Sequence, residues 1–445
     1  MFKNLFSAFL LFCLLSNSSK AQTTPFTVKA WKAGGADADA GHTIAVDGQG
    51  NIFVAGHQFK ATFSANYSFD ESAGFLAKYS SDGVVQWVQL IDGQISSIAV
   101  GKQGAIYMIG TRQGQLPKRP TTLYDYYNFQ IFLAKYNSDG VKQWEQQFGG
   151  PGLHEGADLA VDESDNLYVT GLFSGKVSLG SKTLQSAGGT DTFIAKYNKG
   201  GLIQWATSAG GSERDAGISI GLDNKNRIYI GGSFEGTITI GATTLTSRGD
   251  VDLFVTRYTA NGEAEWVQQI GGVMNDYIYD LALDKKGNVF VTGAYNETAT
   301  FGQTAMTAKA PLGDAFVVKY STSGQMQWVR SSYCTDSGIG RGLTVDEKGA
   351  VYITGYFKGE STFGATTLIP RGQNDIFLTK YSQNGKLHWV QHIGGAGYDS
   401  GTGITMNKRG EIFITGFFQE QVTFGSTTLT SSGYHDIFIA KYLKR

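Results

Sequence analysis

Acidic residues and one histidine recur at a regular interval, a spacing that could gather side chains into a ring around an axis. Asp215 and Asp276 are 61 residues apart, and His154 precedes Asp215 by the same interval. Such a ring could hold a cation at the mouth of a channel. Alternatively, each carboxylate accepts backbone N–H bonds in its own turn, a structural role typical of residues repeated along a chain. The predicted channel-mouth ring consists of Asp39, His154, Asp215, Asp276 and Asp399, with Asp336 nearby but displaced by two residues.

A second acidic series precedes five short segments that are rich in β-branched and aromatic residues. A catalytic acid/base couple needs two carboxylates in unequal environments, whereas this series places one similar carboxylate in each repeat. The pattern therefore favours loop capping, or pairing with the lysine that follows, over catalysis. The series is Asp191, Asp252, Asp314, Asp375 and Asp436.

One segment departs from the repeated pattern and carries a basic pair among aromatic residues. It runs from 111 to 130, where Pro117 and Pro120 flank the basic pair. Aromatic side chains beside an arginine suit stacking on sugar rings or a protein contact. Alternatively, the aromatics fill the gap left by a Thr-Leu-x-Ser segment that this repeat lacks. The candidate ligand-binding residues are Lys118, Arg119, Tyr124, Tyr126, Tyr127 and Phe129.

Recognised catalytic and metal-binding motifs are absent from the sequence. It contains no Gly-x-Ser-x-Gly elbow, His-Glu-x-x-His pair, phosphate loop or calcium loop of alternating Asp and Asn. The six histidines match no ligand spacing, and Cys334 is expected to be a small buried hydrophobe. We therefore predict no catalytic residue, no metal and no cofactor.

The elements that position these residues are repeats. The seven tryptophans recur every 56 to 62 residues, from Trp31 to Trp389, and seven basic-Tyr pairs keep the same interval. Each repeat has about four short segments with β-type composition and no helical period, separated by turns rich in Gly, Asn and Asp. Four strands in each of seven repeats predict an all-β fold, a seven-bladed β-propeller of four-stranded blades.

The chain ends predict how such a propeller closes. Trp31 precedes the first complete repeat, and no tryptophan follows the last basic-Tyr pair, Lys441-Tyr442. A strand at 26–33 would therefore complete blade 7. We predict a single domain over 22–445, with blades at about 37–88, 93–145, 154–206, 215–267, 276–329, 336–390 and 399–443 plus 26–33.

The repeat resembles a known family. The pattern Asp-x-x-Gly-Asn-x-Tyr-Val-Thr-Gly, then Asp-x-Phe-Ile-Ala-Lys-Tyr, then Gly-x-x-x-Trp is similar to the SBBP family of bacterial secreted and surface proteins. Leu167 to Gly171 and Asp191 to Tyr197 match it well, and the resemblance extends over the chain after residue 21. It implies a seven-bladed β-propeller in a secreted or surface setting. The family carries no common catalytic motif, so the resemblance assigns no functional residue.

Residues 1–21 have the pattern of a cleaved secretory signal. Lys3 precedes an apolar run from Phe6 to Leu15, and Ser19-Lys20-Ala21 fits the cleavage site. Removing this segment changes the net charge from −1 to −3, which gives no support for a nucleic-acid partner. No later apolar run is long enough to span a membrane. We expect an exported monomer in the periplasm, at the cell surface or outside the cell.

The loops predict where function lies. In a four-stranded blade, the second-to-third connection and the link to the next blade share one face, and here those are the long, variable loops. We therefore expect a non-catalytic propeller that binds a protein or a glycan on its long-loop face. One alternative is a carbohydrate-active hydrolase or lyase with its site at the mouth of the axial channel. Another is a structural component of a surface layer.

Overall fold

The computed structural model describes residues 26–114 and 128–444. Seven four-stranded antiparallel sheets surround an axis as the blades of a β-propeller, which confirms the predicted fold class. Apart from a single 3₁₀ turn at Lys102–Gly104, the regular structure of these residues is strand. Among these residues, no helix is long and apolar enough to cross a membrane.

Strands a to d of each blade run from the axis outward. In blades 1 and 2 they are Ala40–Val46, Ile52–Phe59, Ser72–Tyr79 and Val85–Ile91, then Gln94–Val100, Ile106–Gln113, Phe129–Tyr136 and Lys142–Phe148. In blades 3 and 4 they are His154–Val161, Leu167–Leu179, Lys182–Tyr197 and Ile203–Ala209, then Asp215–Leu222, Ile228–Ile240, Thr243–Tyr258 and Ala264–Gly272. In blades 5 and 6 they are Tyr277–Leu283, Val289–Tyr295, Asp314–Tyr320 and Met326–Cys334, then Ser337–Val345, Val351–Lys358, Asp375–Tyr381 and Leu387–Ile393. In blade 7 they are Ser400–Met406, Ile412–Phe418, Asp436–Lys444 and Phe26–Ala33.

The first described strand completes the last blade. Phe26–Ala33 lies antiparallel to Asp436–Lys444, with Phe26 opposite Lys444 and Ala33 opposite Ile437. The Trp31 ring of blade 7 then lies against Gly83 of blade 1, and Phe26 meets Trp389 of blade 6 edge-on at 5.4 Å between ring centroids. Contacts on both sides thus hold blade 7 in the ring.

Each tryptophan ties its blade to the next one. The Trp328 indole N–H donates to the Gln383 carbonyl of the following blade at 3.0 Å, and the Lys319 ammonium donates to the same oxygen at 3.0 Å. The indole ring covers Gly385, where a Cβ would lie 2.7 Å from ring carbon and where φ is +74°. Only glycine satisfies both the close approach and the positive φ. Trp87 repeats the arrangement on Ser138 and Gly140.

The excursion between strands b and c is a β-hairpin rather than a loop. It comprises Thr62–Ser64 with Tyr67–Ser68, Thr298–Phe301 with Thr304–Thr307, Ser361–Phe363 with Thr366–Leu368, Gln421–Phe424 with Thr427–Thr430, and the ends of strands b and c in blades 3 and 4. Several of these hairpins pair with the end of strand d in the preceding blade, as Phe301 does opposite Ile270. They cover an outer edge that would otherwise be open to strand addition.

Loss of one tryptophan tests the tie between blades. Trp328 is only 9% exposed, so Trp328→Ala should lower the free energy of unfolding by about 3–5 kcal/mol. Trp205 is half-buried, and Trp205→Ala should cost less. Urea unfolding followed by circular dichroism would measure both. Equal losses below 1 kcal/mol would contradict the proposed role of the indole.

Deletion of residues 26–33 tests closure of the ring. Strand c of blade 7 would become an unpaired edge, and Trp389 and Gly83 would lose their aromatic partners. We expect a broadened, lowered thermal transition or aggregation in calorimetry and size-exclusion chromatography. Lys29→Ala, which removes a half-exposed side chain from the same strand, is the control. A deletion that melted like the control would contradict this topology.

Candidate ligand-binding groove

The predicted acidic ring lies at the junctions between blades. Asp39, Asp215, Asp276 and Asp399 are fully buried, and each accepts the backbone N–H of the residue four positions earlier, at 2.7 to 3.0 Å. Those donors are the second glycines of the Gly-Gly links between blades. His154 occupies the corresponding position before blade 3 and is also buried. The axial cavity is lined by other residues. The geometry is that of turn capping, the alternative drawn from the sequence.

The second acidic series caps turns with the same spacing. Asp191 accepts the Ala187 N–H at 3.0 Å, and Asp375 accepts the Arg371 N–H at 2.7 Å. The Asp191 carboxylate also lies against Gly210, the first glycine of the Gly-Gly link between blades 3 and 4. A Cβ on Gly210 would be 2.1 Å from the Asp191 carboxyl carbon. The first glycine of the link thus leaves room for the buried Asp191 carboxylate, and the N–H of the second glycine donates to the Asp215 carboxylate.

Burial places these carboxyl groups in an unusual electrostatic state. Desolvation raises the pKa of Asp215 to about 8, and the charges of Asp191, Glu235 and Glu213 add to the rise. Desolvation likewise raises the pKa of Asp276 and of Asp399 to about 7 and that of Asp39 to about 6. The backbone donors oppose the rise without cancelling it. Burial lowers the pKa of His154, which keeps that imidazole neutral.

Of the predicted ligand-binding residues, Lys118, Arg119, Tyr124, Tyr126 and Tyr127 lie outside the described residues. Phe129 is described, and it begins strand c of blade 2, half-buried. It lines two adjoining cavities of about 520 and 820 Å³ on the long-loop face.

These two cavities form one groove across blades 2 to 5. They share Phe129, Glu155, Leu172 and Ile218. The blade 2 end includes Arg112, and the blade 5 end includes Tyr277 and Tyr279. Each cavity by itself is within the size range of ligand pockets. We call this space the groove.

The groove occupies positions at which the repeats differ. In every blade, strand a contains a β-bulge near its start, and the bulged side chain lines the axial cavity. The tryptophan and glycine positions hardly vary, whereas the bulged residues are His42, Ser96, Ala157, Ile218, Tyr279, Arg341 and Thr402. The residue two positions before each bulged residue also differs from blade to blade. These residues are Ala40, Gln94, Glu155, Ala216, Tyr277, Ile339 and Ser400. Comparison of the repeats could have revealed these positions, which the search for recurring acids missed.

Three charged groups in the groove have no charged partner among the described residues. Glu155 and Glu235 are half-buried, and Arg214 is exposed. Within residues 26–114 and 128–444, the ion pairs involve other side chains. Burial raises the pKa of Glu155. A half-buried carboxylate without a partner costs free energy that a ligand donor would recover.

A hydrogen-bonded chain crosses the axial cavity beneath the groove. This cavity of about 160 Å³ meets the groove at Ile218 and Tyr279. Ser219 Oγ lies 2.9 Å from an Asp158 oxygen and 3.2 Å from an Asp280 oxygen. The Ser219 hydroxyl has one proton, which it donates to Asp158 at the shorter distance. The contact with Asp280 is then a hydrogen bond if a protonated Asp280 donates to Ser219 Oγ. Burial raises the pKa of Asp280 to about 7, which favours that proton.

The same side chains join neighbouring blades. Asp158 accepts the Ile220 N–H of blade 4 at 2.8 Å, and Asp280 accepts the Leu343 N–H of blade 6 at 2.7 Å. The paired carboxylates are therefore occupied by backbone donors in a narrow space. This arrangement positions blades rather than a substrate.

Three histidines that are distant in sequence lie close together at blades 7 and 1. His42 Nε2 and His57 Nδ1 are 2.9 Å apart, and burial together with the nearby His57 lowers the pKa of His435. Burial lowers the pKa of His42 to about 4, so this pair is neutral near pH 7. Among the described residues, no cluster of three His, Cys, Asp or Glu side chains could hold a metal ion.

The geometry defines the chain as a seven-bladed β-propeller whose long-loop face carries an asymmetric groove. Residues 265–294 match the SBBP family, described as a beta-propeller repeat, which confirms the resemblance. One repeat of that family thus lies at residues 265–294, from strand d of blade 4 to strand b of blade 5.

The chain shares little sequence identity with the following curated and solved proteins that resemble it. It is 22% identical to an uncharacterized WD repeat-containing protein of Acanthamoeba polyphaga mimivirus, over 96% of this chain and 39% of that protein. It is 22% identical to the regulatory protein FlaEY of Caulobacter vibrioides, over 84% of this chain and 42% of that protein. The chain thus spans about two fifths of the length of these curated relatives. The Neurospora crassa Pan2 WD40 domain is 10% identical, with a TM-score of 0.42 and coverage of 90% and 88%.

The buried carboxyl groups predict how stability changes with pH. The pKa of Asp215 rises from 3.8 in the unfolded chain to about 8 in the folded one, so ionisation destabilises the fold. The stability that depends on protonated Asp215 is fully present below the unfolded pKa of 3.8 and is lost as the pH rises through about 8. The melting temperature of Asp215→Asn should therefore fall less than that of the wild type between about pH 5 and about pH 9. Calorimetry with exposed Asp139→Asn as control would measure this. Parallel wild-type and Asp215→Asn curves would contradict the buried-acid account.

Proposed function

We propose that this chain is an exported, non-catalytic binding propeller that holds a segment of protein or glycan in the groove. The carrying observation is the groove itself, in which partly exposed aromatic side chains lie beside carboxylates that have no charged partner in the part of the chain that the structure describes. Tyr277 is 43% exposed, and Phe129 and Tyr279 are half-buried nearby. Tyrosines in such settings are typical anchors of binding interfaces because they combine apolar area with a polar group.

The asymmetry of the groove supports this proposal. Residues that hold the blades together recur in nearly every repeat, whereas the groove collects the positions that do not. Departures from a consistent pattern are expected at functional sites. Export is proposed from residues 1–21, whose pattern is that of a secretory signal.

The enzymatic alternative would use Asp158 and Asp280, the paired carboxylates nearest the axis. Both accept backbone N–H groups of neighbouring blades, and their cavity of about 160 Å³ is small beside the groove. A glycosidase needs one carboxyl group free to protonate a leaving group and another free to attack or activate water. These two are committed to structure, so binding without turnover is the better proposal. A purely structural role in a surface layer would leave the groove without a function.

Binding can be tested with glycan and peptide arrays probed by the purified propeller. Ligands that occupy the groove should bind Tyr277→Ala about tenfold to a hundredfold more weakly, with an unchanged melting temperature. Tyr434→Ala is the matched control because Tyr434 is 55% exposed on the same face but belongs to blade 7. Hits that Tyr277→Ala and Tyr434→Ala retain equally would contradict binding in the groove. Hydrolysis of an arrayed glycan would favour the enzyme.

A further inference from the structure

We infer that the natural occupant of the groove is an extended peptide segment of a partner protein with basic residues between apolar ones. This inference rests on the proposed function and specifies its ligand. It follows from the aliphatic lining, the unpaired acidic groups and the exposed apolar rim.

The lining of the groove is more aliphatic than a sugar site requires. Leu153, Leu172, Ile218, Val251 and Ile278 contribute to its walls. A glycan would cover them with hydroxyl groups, which need hydrogen-bond partners when they are removed from water. Leucine, valine or aromatic side chains of a peptide would cover the same area favourably.

Hydroxyl groups that could serve a sugar are few. Thr190 lines the groove, but its hydroxyl already donates to the Asp215 carbonyl at 3.3 Å. Ser233 is the other hydroxyl side chain of the larger cavity beside the two tyrosines. The smaller cavity adds Ser96 and Thr111, and Thr111 Oγ1 already accepts the Gly156 N–H at 3.3 Å. The glutamates and Arg214 of the larger cavity specify the charge of a ligand more than a pattern of neutral hydroxyls.

The balance of these charges is negative. Glu155 and Glu235 line the larger cavity, and exposed Glu213 lies close enough, with Glu235, to raise the pKa of Asp215. Among residues 26–114 and 128–444, Arg214 is the single basic residue lining that cavity. A lysine or arginine of the ligand would pair with glutamates that have no charged partner within those ranges, whereas an acidic ligand would add like charge.

The rim extends the apolar surface beyond the groove. Val273 and Met274, in the link to blade 5, are 61% and 44% exposed, and Tyr277 follows them at the groove wall. Exposed aliphatic side chains beside a tyrosine are typical of a protein contact, and methionine adapts to irregular partners. A segment passing over this rim would bury surface that water now covers.

The experiment uses two fluorescent peptides of about ten residues, extended at about 3.3 Å per residue. Both share leucine and tyrosine at alternate positions, with lysine in one and glutamate in the other at the remaining positions. Linear malto- and chito-oligosaccharides serve as glycan probes. Binding is measured by fluorescence anisotropy for the peptides and by calorimetry for the sugars.

The wild type should bind the lysine peptide at least about tenfold more tightly than the glutamate peptide. The double variant Glu155→Gln/Glu235→Gln should lose about tenfold for the lysine peptide. The matched control is Glu163→Gln/Glu263→Gln, which changes the net charge equally at exposed turns of the opposite face. It should stay within about twofold, because screening removes most of the effect of distant charges. Melting temperatures of all variants show whether the fold is retained, and Glu235→Gln alone substitutes if the double variant unfolds.

The outcomes separate this inference from the proposed function. Equal affinity for both peptides, with loss of both in Tyr277→Ala, would overturn the charge preference and leave groove binding intact. Binding of an oligosaccharide but of neither peptide would overturn the peptide assignment and support the glycan version of the proposed function. Equal weakening by the groove and control double variants would show nonspecific attraction and overturn the inference. Absence of peptide binding would overturn it as well.

Discussion

The ring depends on one recurring contact, the packing of an indole on a glycine in a turn of the next blade, which Trp389 of blade 6 replaces with an edge-on contact to Phe26 of blade 7. Trp328 covers Gly385 and Trp87 covers Gly140, and in each case a lysine of the tryptophan's blade donates to a carbonyl of the same turn. The contact works only if the turn has no side chain and takes a positive φ. Blades 1 to 5 each carry one half of two such contacts, and any of them in isolation would expose both. Closure by Phe26–Ala33 supplies the remaining indole, Trp31, against Gly83.

On the opposite face, the Gly-Gly links hold the blades through buried acids. A Cβ on Gly211 would lie 1.7 Å from the Thr237 carbonyl of the next hairpin, so the link passes directly beneath that hairpin. Its N–H donates to Asp215 at 2.7 Å. Burial of these carboxyl groups raises their pKa, yet each terminates a turn whose donors would otherwise be unsatisfied. The acidic series are therefore part of the framework, and their regularity follows from the regularity of the links.

Strict periodicity made the fold predictable. Trp, Gly and Lys-Tyr positions recur because each makes the same contact in each blade, so their spacing gave the number of blades and strands. The hairpins were less predictable, since the pairing of Phe301 with Ile270 joins segments from different repeats. The bulges were harder still, because a single extra residue in strand a leaves no compositional mark. Phe129 was among the predicted ligand-binding residues and lines the groove. Glu155, Tyr277 and Tyr279 also line it, but the sequence pattern did not single them out.

The bulge explains why binding residues could change without loss of the fold. A bulged residue is unpaired within its sheet, and its side chain lines the axial cavity. Residues as different as Ala157, Ile218, Tyr279 and Arg341 therefore occupy equivalent positions. In blades 3 to 5 the next residue is more restricted, because Asp158, Ser219 and Asp280 each accept a backbone N–H of the following blade. Framework and variable residues thus alternate along strand a of these three blades, so the groove can diversify on one set while the other preserves the ring.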